Sequence, residues 1–167
     1  MKTFYMAHPF SSRFVIRNIQ KTLEESSDIK IGNPFYDSDH DRQDVADIDA
    51  GRSDRYEKLN PEKLVADDLD MIDKRQGVIA TVCNEDFCTI NIFKKLWYKL
   101  IKKPVISYGT LMEIAYAYTM GKTIYIVVLN GHEDHPWLQY HADDIFTSFE
   151  ELKEYLTFLY PKEVIYE

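Results

Sequence analysis

The chain has 167 residues, 45% hydrophobic and 29% charged, a mixture and a length that close a globular core without disulfide staples. Its formal net charge of −8 excludes broad binding to a nucleic-acid backbone, which demands a basic face. A small anion held by two or three local donors stays compatible with that charge.

In chain order, Thr3 to Ala7 reads as a short buried strand ended by His8-Pro9. Ser11 or Ser12 caps a helix whose apolar positions Val15, Ile16, Ile19 and Leu23 have helical spacing. Ile29-Lys30-Ile31 is a second strand, closed by the turn residues Gly32-Asn33-Pro34. Residues 36–60 form an acidic excursion of roughly 25 residues, a length typical of functional lids or of disordered segments. Asn60 and Pro61 open a helix with Leu64, Leu69 and Ile72 on its apolar side and Asp67, Asp68 and Asp70 elsewhere. Gly77 to Val82 is a buried strand. Residues 87–106 read as a basic, aromatic helical insertion. Gly109-Thr110 starts a helix that Gly121 ends, Thr123 to Leu129 is the strongest strand, and Ser148 caps a last helix before a terminal strand at Val164-Ile165-Tyr166. Continuous apolar strands alternating with helices predict one α/β domain over 1–167, with a parallel sheet of about five strands covered on both faces. In such sheets ligands bind beyond the carboxyl ends of the strands. That marks residues 5–13, 33–60, 83–86, 107–113 and 130–137.

No apolar run reaches the length of a membrane span, and Ser11, Ser12 and Arg13 interrupt the amino-terminal segment too early for a signal peptide. A soluble, cytoplasmic protein with no membrane partner is expected. Cys83 and Cys88 lack a second pair, and His132, His135 and His141 lack a matching partner set, so no zinc site is expected. Asp37, Asp39 and Asp41 open like a calcium loop, but Arg42 stands where glycine is required and Ile48 where the closing glutamate belongs.

Three groups carry chemistry. Ser107-Tyr108-Gly109-Thr110-Leu111-Met112-Glu113 sets a glycine and free N–H groups at a helix start, which favour an anion. Glu113, read into the first turn, is expected to be a persistent carboxylate, and a carboxylate against C1′ of a sugar forms a glycosyl-enzyme. Asp67-Asp68-Leu69-Asp70 clusters carboxylates that shift one another's pKa, and a raised one can donate a proton to a leaving base. Tyr5 orients a carboxylate or is satisfied in the core, while Ser11, Ser12 and Arg13 at a helix start make a phosphate cradle. Taken singly, the first two read more readily as an ordinary helix start and a solvated acidic face, and the third reads equally as capping with a surface arginine.

Together these segments resemble the nucleoside 2-deoxyribosyltransferase family, which includes 2′-deoxynucleoside 5′-phosphate N-hydrolases. FYMAHPF is similar to the family's opening strand, Asp68-Leu69 leading to GVIATV to its D-L segment, and GTLMEIAYAYTMGKTIYIVV to its G-T-x-x-E block with the following strand. The resemblance spans most of the chain. It implies a flavodoxin-like doubly wound sheet, no metal or organic cofactor, and homo-oligomers (dimers or larger) with sites near subunit interfaces. It implies Glu113 as nucleophile, Asp68 as the carboxylate that handles the base and its proton, and Tyr5 as the residue that positions the nucleophile. Substrate contacts fall on Ser107, Gly109, Thr110, His8, Phe10, Ser11 and Arg13, and the partners are a nucleoside or nucleotide and a free nucleobase. The chain departs from the pattern at His8, where a small residue is common, at Gln76-Gly77, where an aspartate is usual, and in the insertion at 87–106. Ser107 replaces the aspartate of the base-exchanging enzymes and matches the monophosphate N-hydrolases. Sugar transfer to a second base, hydrolysis of a 5′-monophosphate, and a non-catalytic nucleotide-binding module are the three readings carried forward. The phosphoribohydrolases with P-G-G-x-G-T-x-x-E match only the tail of GTLME.

Overall fold

A computed structural model describes residues 1–37, 61–83 and 107–162. Most of the acidic excursion, Cys88, the insertion at 87–106 and the expected strand at 164–166 lie outside the described residues.

Five strands, β1 (Lys2–Ala7), β2 (Ile29–Gly32), β3 (Gly77–Val82), β4 (Thr123–Val128) and β5 (Asp144–Phe146), form one sheet in the order β2-β1-β3-β4-β5. Every pair is parallel. This is the flavodoxin-like doubly wound order, whose strand direction of growth reverses between β1 and β3. The helices are α1 (Arg13–Ser26), α2 (Pro61–Asp73), α3 (Tyr108–Thr119), α4 (Pro136–His141) and α5 (Phe149–Leu159).

Alternation along each strand builds two cores. Phe4 and Met6 pack with Ile16 and Leu23 of α1 and Leu152 and Leu156 of α5. Tyr5 and Ala7 point the other way, to Met71 and Ile72 of α2 and Ile114 and Ala117 of α3. A phenol is thereby carried on the face that α2 and α3 cover, and Tyr5 is fully buried there.

Several boundaries differ from those read in the sequence. The fifth described strand is Asp144–Phe146, ahead of the last helix, and Pro136–His141 is a short helix where a loop is expected. Leu64 is exposed, and α2 meets the core through Met71 and Ile72, near its carboxyl end. Ser12 precedes α1 but its hydroxyl does not cap the helix; it donates to the Pro9 carbonyl at 2.7 Å. The α3 terminus behaves as its glycine predicts. Gly121 takes φ of 64°, and the N–H groups of Gly121 and Lys122 donate to the carbonyls of Tyr118 and Ala117, the left-handed stop that glycine permits.

Candidate functional site

Three side chains far apart in sequence converge between β1, α2 and α3. The Tyr5 hydroxyl donates to Glu113 Oε1 at 2.7 Å. Asp68 of α2 lies on the same side, and its charge is felt by both Tyr5 and Glu113. Asp68 Oδ1 is buried without a hydrogen-bond partner among the described residues. The site thus holds two carboxylates and a single phenolic proton between them.

Burial governs their ionisation. It pushes Glu113 up; the Tyr5 hydrogen bond pulls it down, the Asp68 charge pushes it up again, and the result is about 7. Burial, with Asp67 alongside, raises Asp68 to about 6 against the pull of Tyr5. Tyr5 itself is raised well above the ordinary phenol by burial and by the Glu113 charge, so it is a donor at all ordinary pH. The expected persistent anion is therefore corrected. Helix α3 begins at Tyr108 and has no acidic residue in its first turn; Glu113 lies in the second, where the terminal dipole has faded and desolvation wins.

Arg75, in the connection from α2 to β3, adds a cation on this face. Gly32 is the register partner of Tyr5 on β2, and the Arg75 guanidinium occupies the space a Cβ at Gly32 would need. Its Nη1 donates to the Met71 carbonyl at 2.6 Å, and its charge draws the Tyr5 pKa down. Nothing in the sequence marks Arg75.

At the amino end of α3, Ser107 Oγ accepts from the Thr110 N–H at 3.2 Å and from the Thr110 hydroxyl at 2.9 Å. A Cβ at Gly109 would meet nothing nearer than Ser107 Oγ at 4.0 Å, so the backbone there is open to approach. The β1–α1 connection is arranged differently. His8 is buried, with Nδ1 3.0 Å from the Pro9 carbonyl and Nε2 3.3 Å from Asn33 Oδ1, and burial lowers it to about 4. The Arg13 guanidinium lies 3.8 Å from the Phe10 ring centre and 4.4 Å from that of Phe14, and Nη1 donates to the Phe10 carbonyl. Ser11 is exposed, Ser12 and Arg13 are buried, and Phe10 meets Phe35 edge-on at 5.4 Å.

A cavity of about 320 Å³ opens beyond the carboxyl ends of β3 and β4, next to the point where the strand order reverses. Pro9, Thr81, Ser107, Thr110, Asn130, His132 and His135 are in its wall. The two carboxylates are not; Thr110, one turn ahead of Glu113 on α3, joins the regions. The sequence points to 130–137 by its position after a strand. Thr81 gives no such signal, because a threonine inside an apolar run reads simply as a strand former.

No protein-family model matches the chain, and no curated protein matches its sequence. Solved structures do. A 2-deoxyribosyltransferase from Bacillus psychrosaccharolyticus superposes with a TM-score of 0.54 at 13% identity, over 92% of this chain and 91% of that one. A CMP N-glycosidase from Clostridium botulinum superposes with a TM-score of 0.52 at 17% identity, over 94% of this chain and 99% of that one. The chain has their fold. Among its described residues no helix is long and apolar enough to cross a membrane.

Proposed function

We propose that the protein cleaves the N-glycosidic bond of a 2′-deoxyribonucleoside or its 5′-monophosphate and passes the sugar to another nucleobase. The observation that carries this reading is the Tyr5–Glu113 hydrogen bond with Asp68 beside it. Glu113 attacks C1′ as its carboxylate. The C1′–N bond breaks, its electron pair leaves with the base, and Asp68 delivers the proton. A second base then attacks C1′ of the deoxyribosyl ester from the face the first one left, its N–H proton passes to Asp68, and the C1′–O bond breaks to release the Glu113 carboxylate. Tyr5 holds Glu113 in the attacking rotamer and stabilises it as an anion. The sugar ester needs no cofactor. The proteins with the same fold act, by their descriptions, as a 2-deoxyribosyltransferase and a CMP N-glycosidase, which supports nucleosides or nucleotides as the substrate class.

Hydrolysis of a 5′-monophosphate is the second reading, favoured by Ser107. A carboxylate there would repel a phosphate, whereas a hydroxyl can donate to it. Base release followed by chromatography separates the two. Release that requires a second base is transfer; release without one, best from monophosphates, is hydrolysis.

A cytoplasmic homo-oligomer is part of the proposal. Tyr108, Met112, Trp137 and Tyr140, all on α3 and α4, are 78%, 70%, 72% and 67% exposed, an apolar surface of the kind that subunit contacts cover.

Tyr5→Phe keeps the packed ring and removes the hydroxyl. A fall in kcat of about 10- to 100-fold is expected. Glu113 loses the bond that lowers its pKa, so the upper of the two pKa values that bound kcat/KM, its alkaline limb, moves to higher pH. An unmoved limb would show that Tyr5 does not govern Glu113.

A further inference from the structure

We propose that Arg75 is a positioning residue for Glu113 that acts through Tyr5: its guanidinium fills the notch left by Gly32 and makes the phenol a stronger donor to the carboxylate. The proposal rests on the N-glycosidic reading only in taking Glu113 as the nucleophile. Tyr5 pairs with Gly32 on one side and with Val78 on the other, and paired residues of neighbouring strands share a face. Where a side chain at 32 would stand beside Tyr5, the Arg75 guanidinium stands instead. The chain that carries it is fixed from several directions. The Arg75 N–H donates to the Ile72 carbonyl at 3.0 Å, and the Arg75 carbonyl accepts from Lys122 Nζ at 2.8 Å. The next residue, Gln76, donates to the Thr3 carbonyl and accepts from the Thr3 N–H through its side chain. With Nη1 tied to the Met71 carbonyl, the charge is held in one place.

The charges around the guanidinium leave it free to act on the phenol. Asp37 after β2, Tyr5 on β1 and Asp70 on α2 face it, and Lys122 lies against its backbone. Asp37 is already engaged by Arg17, Gln20 and the Asn33 N–H, and Asp70 pairs with Lys74. Arginine stays protonated at all ordinary pH, so the cation is permanent and only the carboxylates titrate around it. Arg75 is half-buried, where a charge is screened less than at the surface. The Tyr5 oxygen faces Glu113 and Asp68, whose charges push its pKa up, while Arg75 draws it down. A phenol made more acidic gives its proton more strongly to an acceptor, since hydrogen-bonded groups polarise one another at low dielectric. Glu113 in turn is held lower by that bond, against burial and the Asp68 charge. Asp68 has Asp67 beside it, so Arg75 brings a positive charge to a face otherwise crowded with negative ones.

The test is the titration of the Glu113 carboxyl in the full chain, followed by carbon-13 magnetic resonance with labelled glutamate and assigned by the signal that Glu113→Gln removes. Arg75→Gln is expected to move that titration upward by about half to one pH unit, and Arg75→Lys, which keeps the charge, to leave it near the wild type. Gly32→Ala reaches the same end by another route, because the new Cβ displaces the far end of a flexible side chain; it should move Glu113 in the same direction. In a Tyr5→Phe background Arg75→Gln should move it no further. In turnover, Arg75→Gln should lower kcat by about 3- to 10-fold with KM unchanged, and carry the alkaline limb of kcat/KM upward. A Glu113 titration indifferent to both Arg75→Gln and Gly32→Ala overturns the proposal, and so does a shift that persists at full size without the Tyr5 hydroxyl. A titration that follows Arg75 in a protein that releases no base from any deoxynucleoside or monophosphate sustains the positioning and overturns the cleavage reading. Base release with a Glu113 titration indifferent to Arg75 does the reverse.

Discussion

Glu113→Ala is expected to abolish base release, with a fall in kcat of at least about 10⁴-fold, because no other carboxylate shares its place on the inner side of α3 against Tyr5. Glu113→Gln should fall as far. The amide oxygen can still accept from Tyr5, so the site is kept while the nucleophile is lost. Trapping the labelled sugar on the wild-type chain, and its absence in both variants, would verify the ester directly. Near-normal turnover in either variant would sink the mechanism. A wild-type protein that binds nucleotide, keeps that affinity in Glu113→Gln and never releases base would be a binding module.

The second large effect is a gain in stability from that same glutamine. Glu113 has an ordinary value of 4.5 and is raised to about 7 in the fold. Between those values the native state binds more protons than the unfolded chain, so stability falls as pH rises from 4.5 to 7 and then levels. The penalty at alkaline pH is roughly 3 kcal/mol. Glu113→Gln removes it and should be more stable than the wild type by about that amount at pH 8, with the difference fading toward pH 4.5. Urea unfolding at the two pH values reads it out. A variant no more stable at pH 8 than at pH 5 would mean that Glu113 is not desolvated. The same pair shapes the rate. Catalysis needs Glu113 ionised and a proton on Asp68, and the two groups sit near 7 and 6. One proton on the pair, in the minority arrangement that places it on Asp68, is the productive state, so kcat/KM is expected as a narrow bell centred between those values.

The fold was legible wherever a strand or a cap announces itself locally. GVIATV and TIYIVV are apolar runs that only a sheet buried on both faces accommodates, and both are strands. Ser148 caps the last helix by accepting from the Glu151 N–H. Strand β5 was not legible because it has three residues and only Phe146 buried; its pairing with β4 makes it a strand. Helix α4 is hidden for a similar reason, being six residues capped by a histidine. The convergence of Tyr5, Asp68 and Glu113 could be reached only through family resemblance, since positions 5 and 113 are brought together by tertiary packing. The ionisation of Glu113 shows the opposite failure. The helix dipole, a local rule, predicts an anion at a position where burial is the larger effect. Thr81 was invisible because the cavity it lines exists only in three dimensions.

Gly32 and Arg75 leave a trace of a different kind. The guanidinium fits only because position 32 carries no side chain, and it lies beside the phenol that holds Glu113. The two positions are therefore not free to drift separately. A side chain at 32 evicts the cation and loosens its hold on the Met71 carbonyl, while a small residue at 75 leaves a hollow that position 32 can fill. Changes at these sites should be epistatic, each harmful alone and tolerated together, so that divergence among related chains passes through paired replacements at 32 and 75.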